Sequence, residues 1–530
     1  MPDPAPRLAR SAGVIGLATM TSRILGLVRE QVLAYYFGAG DAMDAFRVAF
    51  RVPNLLRDLF AEGAMSAAFV PTFTAQLTRG GRARAWALGN SVLNGLLLVT
   101  GVLVIAGVVF APALVELIAA DDYARIPGKM ALTVTLARVV LPFLTLVAVA
   151  AALMGMLNAL GHFFIPAVSP ATFNVASIVL VVALVPFAPT LGVDPILIVA
   201  VATVVGGVTQ IAIQWPPLAR EGFRYRPTID VRDESLHRVL LLMGPGTIGL
   251  AATQINVFVN TILATGEGTG AVSWLDYAFR LMYLPIGLFG VSVATASTPA
   301  VSRLVAEGDL GRVRGTVAHA IGLMLLLNVP ATVGLIVLAD PIVRVIFERG
   351  SFTAADTAAT AAALRFYAAG LLGYSVVRIV SPTFYALGRS RTPVMVSMAS
   401  VVVNVALNLA LVRVMGYRGL ALGTSVTALV NAGAQLLLLR RLLDGLELPV
   451  VVRTFARVAA ATAVMGVVAG ATDQALTMWW PGEALWQQVA RLGASIGLAL
   501  AALAGAALAL GIPEFGEAVT MVRRRLGRGR

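Results

Sequence analysis

The chain alternates between long apolar stretches and short polar segments from end to end. Val92–Ala111, Ile196–Ile213 and Leu492–Leu510 are examples of the apolar stretches. A helix needs roughly 20 mainly apolar residues to cross the hydrocarbon core of a bilayer. The pattern therefore predicts an all-α integral membrane protein with about fourteen transmembrane helices. The predicted spans are 11–37, 42–78, 87–111, 130–158, 164–188, 193–215, 237–263, 271–303, 314–339, 357–387, 393–415, 417–441, 453–471 and 486–511.

The composition strengthens the membrane prediction. Only 13% of the 530 residues are charged, and the mean hydropathy is +0.86, whereas soluble proteins carry about 25% charged residues. No soluble domain of any size is expected. The chain has no cysteine, which excludes disulfides, a cysteine-based zinc site and a thiol nucleophile.

The positive charge is distributed unevenly among the loops. The formal net charge is +13. A nucleic-acid-binding surface would explain it, but the arginine-rich cytoplasmic loops of a membrane protein explain it better. If the N-terminus is cytoplasmic, the loops on its side hold 23 Lys and Arg residues and the opposite loops hold 6. This bias predicts that both termini are cytoplasmic and that nucleic acid is not a partner.

Two sequence segments occur twice at nearly the same distance. Ala159–Ser169 is echoed by Ala386–Ser397, and Ser66–Leu77 is echoed more weakly by Val293–Leu304, with aligned prolines 227 and 228 residues apart. The echoes predict a duplicated unit of about six helices, so the two copies lie parallel and hold a substrate between them. The predicted domains are an N-terminal lobe at 1–215, a C-terminal lobe at 216–441, and two extra helices with a basic tail at 442–530.

The first two predicted helices carry many charges. An arginine at the bilayer centre costs roughly 2.5–3.5 kcal/mol, so such residues line a wet cavity, pair with acids or snorkel to the surface. A seven-residue spacing predicts two pairs, Arg23 with Glu30 and Asp44 with Arg51. The charged residues of these two helices are Arg23, Arg29, Glu30, Asp44, Arg47, Arg51, Arg57, Asp58 and Glu62.

Arginine remains in excess in these helices, and Arg280 in the eighth helix has only Asp276 nearby. One interpretation is a cavity between helices 1, 2, 7 and 8 that binds an anion, because the guanidinium fork suits two-point contact with phosphate or carboxylate. The alternative is that these charges are structural ion pairs or snorkelling ends. That alternative is stronger for Asp44, Arg47 and Asp58 than for the remaining arginines.

A second polar group lies in the predicted seventh, eleventh and twelfth helices, at Asn260, Asn404, Asn408 and Thr424. Amides inside membranes usually join helices through hydrogen bonds. A sodium site is the alternative, although a hard cation normally has a carboxylate ligand. The three histidines show no metal-ligand spacing, and no catalytic motif stands out. The chain is therefore predicted not to be an enzyme and to hold no metal or cofactor, unless a coupling ion binds.

The segment Thr21–Phe73 contains S-R-x-L-G-x-x-R-E, F-G-x-G-x-x-x-D-A-F and P-N-L-L-R-x-x-F-A-E-G-A. It resembles the MviN/MurJ lipid II flippases of the multidrug/oligosaccharidyl-lipid/polysaccharide exporter superfamily. Val272–Thr295 resembles a second block of that family. The resemblance covers nearly the whole chain, including the final pair of helices.

The resemblance implies a MATE-like bundle of two parallel six-helix lobes, with a central cavity that opens alternately to each side of the membrane. The implied substrate is lipid II, an undecaprenyl diphosphate bearing a disaccharide-pentapeptide, whose tail would lie in a groove on the last two helices. The implied location is the bacterial cytoplasmic membrane. The protein is expected to be a monomer among membrane lipids, with the cell-wall synthesis machinery as a candidate partner. The implied substrate-binding residues are Arg23, Arg29, Arg51, Arg57, Arg280, Asp44, Glu62 and Ser273.

Some positions depart from the family pattern. Some members have an acid directly before the helix-eight arginine, where this chain has Phe279, so Asp276 is the expected substitute. Members thought to bind sodium have acids where this chain has Asn260 and Asn408, which weakens the case for sodium against protons or the membrane potential. The rival functions are a polysaccharide or multidrug exporter of the same superfamily, a membrane enzyme acting on a polyprenyl-linked sugar, and a scaffold for cell-wall assembly.

Overall fold

The computed structural model describes residues 5–58, 64–230 and 232–516. The structure is 86% helical, and the described residues contain no strand. Ten helices within these ranges are long and apolar enough to cross a membrane, and they correspond to the third to sixth and the ninth to fourteenth predicted spans. The prediction of an all-α membrane protein is confirmed. The number of fourteen spans stays a prediction.

The chain forms two compact units. The first comprises residues 1–273 together with Arg349–Phe352, and the division falls in the first turn of a helix that continues into the second unit. Its helices are α1 (Ala5–Phe37), α2 (Asp41–Arg57), α3 (Ala64–Arg79), α4 (Gly81–Val109), α5 (Ala111–Ile118), α6 (Asp121–Ala124), α7 (Lys129–Val140), α8 (Phe143–Ala159), α9 (Phe164–Leu184), α10 (Ala188–Leu191), α11 (Pro195–Arg220) and α12 (Glu234–Thr265).

The second unit comprises Trp274–Glu348 and residues 353–530. Its core lies among α14, α15, α17, α19, α20 and α21, where Val317, Ile379 and Val458 are buried. Its helices are α13 (Ala271–Pro285), α14 (Val291–Ala306), α15 (Leu310–Val337), α16 (Ala339–Phe347), α17 (Ala354–Ala386), α18 (Arg391–Met415), α19 (Tyr417–Leu442), α20 (Leu448–Trp479) and α21 (Leu485–Ala509).

The eighth predicted span contains a π-helical turn. The span 271–303 comprises α13, the turn at Ile286–Gly290, and α14, which follow one another directly. Pro285 directly precedes the turn and cannot donate a backbone hydrogen bond, and wide π turns are frequent at functional sites. The second predicted span, 42–78, contains α2 and α3, and the residues between them lie outside the described ranges. Irregular backbone at membrane depth is tolerated where it is buried in protein or borders a water-filled cavity.

The repeated sequence segments occupy matching places in their helices. Pro71 and Pro299 lie near the middle of α3 and α14, which have 16 residues each. Pro166 and Pro393 are each the third residue of their helices, α9 and α18. This match supports the proposed duplication. The predicted lobes at 1–215 and 216–441 stay a prediction.

Helices of the second unit approach closely through small residues. A Cβ added at Gly370 of α17 would lie 2.9 Å from the Cα of Ser425 in α19, and one at Gly373 would overlap the backbone of Ala428. Small residues allow such contact between membrane helices, where van der Waals packing replaces the hydrophobic effect as the driving force. Other helix surfaces of this unit expose apolar side chains, such as Val402 and Val414 of α18. A surface of this kind is suited to lipid rather than water.

An extended segment at 223–230 joins α11 to α12 and lies along α4. Asn90 of α4 accepts a hydrogen bond from the N–H of Arg226 at 2.9 Å, and Asn94 donates to the carbonyls of Arg226 and Thr228 at 2.7 and 2.9 Å. The side chains of α4 thereby satisfy backbone groups that have no strand partner. Two asparagines in an apolar helix fix the course of this connection.

Candidate functional site

The strongest group of charges in the first unit surrounds Glu30 of α1. Arg29 donates to one carboxylate oxygen of Glu30 at 2.7 Å, and Arg47 of α2 donates to the other at 3.2 Å. Glu30 and Arg47 are buried, and the Arg29 guanidinium lies 5.1 Å from the ring centroid of Phe173 in α9. This buried ion-pair group connects α1 with α2, and the aromatic ring provides a further favourable contact for the guanidinium.

Two further arginines lie on the same two helices. Arg51 is half-buried on α2, one turn after Arg47, while Arg23 is exposed on α1 and forms no ion pair with the described residues. The predicted pair of Arg23 with Glu30 is therefore wrong. Spacing along one helix predicts a shared face, but Glu30 pairs with its sequence neighbour and with a residue of the adjacent helix. The guanidinium groups of these two helices are of the kind that suits an anionic ligand.

Arg57 lies at the end of α2, in contact with its neighbour Asp58. Its guanidinium donates twice to one oxygen of Asp58, at 2.8 and 3.1 Å, and Gln254 of α12 donates to the other oxygen at 2.9 Å. This chain of contacts fixes the end of α2 against α12. Glu62, which was predicted to be a substrate-binding residue, lies outside the described residues.

Arg280 lies on α13 in the second unit. Its Nε donates to Asp276, one helical turn earlier, at 2.7 Å, and 40% of its side chain is exposed. The interaction agrees with the expectation that Asp276 replaces the acid that some family members carry at the position of Phe279. Arg280 therefore has an acidic neighbour but remains accessible. Its position relative to the arginines of the first unit stays a prediction, as does the cavity between helices 1, 2, 7 and 8.

Asp44 of α2 is fully buried and makes four polar contacts. Its carboxylate accepts hydrogen bonds from the N–H of Gly270 at 2.7 Å and from the N–H and hydroxyl of Ser273 at 3.1 and 2.7 Å. It also pairs with Lys129 at 3.3 Å. The predicted pair of Asp44 with Arg51 is wrong, because Asp44 is directed at the first turn of α13 and at α7. In this conformation Asp44 and Ser273 bind each other.

Lys129 is a buried residue that the sequence analysis did not single out. Its ammonium pairs with Asp41 at 2.8 Å as well as with Asp44, and it lies 4.4 Å from the ring centroid of Tyr123. A signal for it was present in the sequence, because Lys129 is the only lysine and every other basic residue of the chain is arginine. A compact ammonium fits between two carboxylates and a ring, where a planar guanidinium would need more space.

The second polar group joins two helices of the second unit. Asn408 of α18 donates to Asn404 at 2.9 Å, and Asn404 donates to the hydroxyl of Thr427 in α19 at 3.2 Å. Thr424 donates to a carbonyl of its own helix. The remaining sodium candidate, Asn260, lies on α12 in the first unit. Hydrogen bonds between α18 and α19 account for the amides of α18.

No group of three or more His, Asp or Glu residues that could hold a metal ion occurs within the described ranges.

Long helices with exposed apolar faces, a π-helical turn within a predicted span, and charged side chains buried on α1 and α2 are typical of a multi-pass membrane transporter. Its fold is similar to that of an inward-facing multidrug resistance MATE family transporter of the MOP superfamily, with a TM-score of 0.69. The two chains are 17% identical, and the match covers 82% of this chain and 98% of the other.

The comparisons also identify the family. A structure of "Lipid II flippase MurJ, inward closed conformation" matches with a TM-score of 0.76 and 25% identity, over 94% of this chain and 99% of that one. Probable lipid II flippases MurJ from Bdellovibrio bacteriovorus and Vibrio cholerae are each 33% identical, over 98% and 96% of this chain and 97% of each relative. The family model of "Lipid II flippase MurJ" matches residues 33–490. The chain belongs to the lipid II flippase MurJ family.

This membership confirms the resemblance inferred from Thr21–Phe73. It also confirms that the protein is a transporter and not an enzyme.

Proposed function

We propose that this protein moves lipid II from the inner to the outer leaflet of the bacterial cytoplasmic membrane by alternating access. Two findings support the proposal, namely the family and the inward closed conformation named for the similar MurJ structure. The exporter alternative is similar in fold alone, at 17% identity. The enzyme and scaffold alternatives do not account for membership in a family of flippases.

The pairing of two arginines of α1 and α2 at Glu30 is the observation that carries the substrate assignment. Lipid II has a diphosphate between its sugar and its polyprenyl tail, and guanidinium groups bind phosphate oxygens in pairs. An anion entering beside α1 and α2 would meet the guanidinium groups of Arg29, Arg47 and Arg51. We assign the diphosphate to this group, with Arg23, Arg57 and Arg280 as further contacts.

The polyprenyl tail requires an apolar path, and we assign it to α20 and α21. Their surfaces expose large apolar side chains, including Val467, Leu500 and Leu508. A chain of isoprene units needs no polar partner, so an exposed apolar face next to lipid is sufficient.

We infer that both termini are cytoplasmic, as the loop charges indicate, and that the protein acts as a monomer. The four sodium candidates, Asn260, Asn404, Asn408 and Thr424, offer neutral oxygen atoms, and three of them are in hydrogen bonds within or between helices. A hard cation prefers carboxylate ligands. The proposal therefore assigns no coupling ion to them and leaves protons or the membrane potential as the driving force.

Substitution of Arg280 tests the proposal. In cells depleted of their own lipid II flippase, Arg280→Ala should fail to support growth and should keep lipid II inaccessible to an external reagent. Arg280→Lys should be impaired, since each lost charge-assisted hydrogen bond costs about 1.5–3 kcal/mol and lysine lacks the planar fork.

Arg413→Ala is the matched control, because Arg413 is an exposed arginine at the end of α18. It should grow normally, and immunoblots should show equal membrane levels of all variants. Normal growth and normal external lipid II with Arg280→Ala, at equal abundance, would show that Arg280 does not bind the substrate.

A further inference from the structure

The second unit contains a cavity that the transport proposal does not use. It has a volume of about 530 Å³ and lies between α16, the C-terminal half of α20 and the N-terminal half of α21. Volumes of a few hundred cubic ångströms are typical of small-molecule sites. Its lining carries charges of both signs together with neutral polar groups. The polar lining residues include Asp340, Arg344, Asp473, Thr477, Gln488 and Arg491.

Most of the charged lining residues already have partners. Asp340 pairs with Arg365, and Arg344 pairs with Glu348 at 3.4 Å. Arg491 donates to two backbone carbonyls of the turn between α20 and α21, at 3.3 and 2.6 Å, and so fixes the cavity wall.

Asp473 differs from these residues. It is half-buried on α20, and it accepts no hydrogen bond and forms no ion pair with the described residues. A partly buried carboxylate without a donor is costly, and a ligand that brings a donor would relieve that cost. The guanidinium of Arg491 has more N–H groups than the two carbonyls occupy, so it can also bind an anion. The cavity thus offers one place for a cation and one for an anion.

Tryptophans place this cavity at the membrane–water interface. Trp480 and Trp486 pack edge to face with ring centroids 5.4 Å apart, next to the end of α20, and Trp479 is 84% exposed. Tryptophan is enriched at the level of lipid headgroups, where its ring is amphipathic. Further along α20 and α21 the exposed side chains are apolar, as at Val467 and Leu498. Lipid is therefore the nearest source of a ligand with both charges.

We propose that this cavity binds the headgroup of a phospholipid that carries both a phosphate and a primary ammonium. The ammonium would donate to Asp473, and the phosphate would accept from Arg491, with Gln488 and Thr477 as further donors. A phosphatidylglycerol headgroup lacks the cation, and the quaternary ammonium of phosphatidylcholine has no N–H to donate. The proposed site is independent of the flipping proposal, because it concerns a bound lipid of the surrounding membrane.

Lipid-dependent thermal stabilisation of the full chain, purified in detergent, tests the proposal. Short-chain phosphatidylethanolamine should bind about tenfold more tightly than short-chain phosphatidylcholine or phosphatidylglycerol, the ratio expected for one charge-assisted hydrogen bond. Asp473→Asn should remove that preference. Gln488→Leu should weaken the binding of all three lipids by similar factors, because it removes a phosphate donor.

Asp122→Asn is the matched control, because Asp122 forms an exposed ion pair with Arg125 in a loop predicted to lie on the same side of the membrane. It should keep the preference. Equal binding of the three lipids, or an unchanged preference in Asp473→Asn, would overturn the proposal. Free glycerophosphoethanolamine should stabilise the protein weakly. Stabilisation by that compound without any by the lipid would show that a soluble phosphate ester is the ligand. None of these results depends on lipid II transport.

Discussion

Replacing Asp44 with asparagine should destabilise the protein strongly although the two side chains have the same shape. Asp44 is fully buried, and three of its four polar contacts come from Gly270 and Ser273. The fourth is the ammonium of Lys129, whose side chain is only 1% exposed. An asparagine keeps one acceptor oxygen, but its NH₂ group would face a donor, and the negative charge is lost.

The expected cost follows from these contacts. Removing one partner of a buried ion pair costs about 3–5 kcal/mol, because the other charge is left uncompensated. Lys129 retains Asp41 at 2.8 Å, but the side chain of Asp41 is 46% exposed and its charge is partly screened by water. The loss of unfolding free energy for Asp44→Asn should therefore lie near the lower end of that range, at about 3 kcal/mol.

Unfolding in mixed micelles, followed by tryptophan fluorescence during titration with sodium dodecyl sulfate, measures this free energy. The double variant Asp44→Asn/Lys129→Met should be more stable than the sum of the two single losses predicts, by about 1–3 kcal/mol, because no buried charge is left without a partner. Asp41 loses Lys129, but its side chain is 46% exposed and is solvated by water. The control Asp122→Asn removes an exposed ion pair and should change stability by less than about 1 kcal/mol. A small loss for Asp44→Asn, or additive losses in the double variant, would refute the argument.

Two further predictions concern packing and topology. Gly423→Ala should cost about 1–3 kcal/mol of unfolding free energy, because a Cβ there would overlap the side-chain oxygen of Asn408. The control Gly433→Ala lies in the same helix with open space around it and should be neutral or stabilising, and equal effects of the two variants would contradict the prediction. The chain has no cysteine, so single introduced cysteines report the topology. Arg84→Cys should react with a membrane-impermeant thiol reagent only after permeabilisation, whereas Asp122→Cys should react in intact cells. The reverse pattern would contradict the proposed topology.

The sequence predicts the helices well where bilayer thickness determines their length. An apolar run of about 20 residues has few alternatives to a spanning helix. The family motif F-G-x-G is also explained by the structure. Gly38 ends α1 with a φ of +58°, and a Cβ there would overlap the carbonyl of Ser351, whose N–H donates to the carbonyl of Tyr35 at 2.8 Å. Only glycine combines that backbone conformation with that approach.

The π-helical turn and the charge pairs were beyond the sequence analysis for a common reason. Hydrophobic runs show where a helix can form, but the π-helical turn after Pro285 depends on neighbouring elements that satisfy its backbone groups. Spacing along a helix likewise shows which side chains share a face, but not which adjacent helix meets that face. Glu30 therefore pairs with Arg47, and Asp44 with Lys129, rather than with residues seven positions away.

The two buried carboxylates of α1 and α2 have different surroundings, and the difference separates a structural role from a binding role. Asp44 accepts hydrogen bonds from a lysine, a hydroxyl and two backbone N–H groups, and Asp41 shares the same lysine. All of these donors belong to the protein, so Asp44 is satisfied without a ligand. Glu30, by contrast, is held by two arginines, Arg29 of its own helix and Arg47 of α2. Guanidinium groups are the donors that suit phosphate best, so we propose a binding role for this group and a structural role for Asp44.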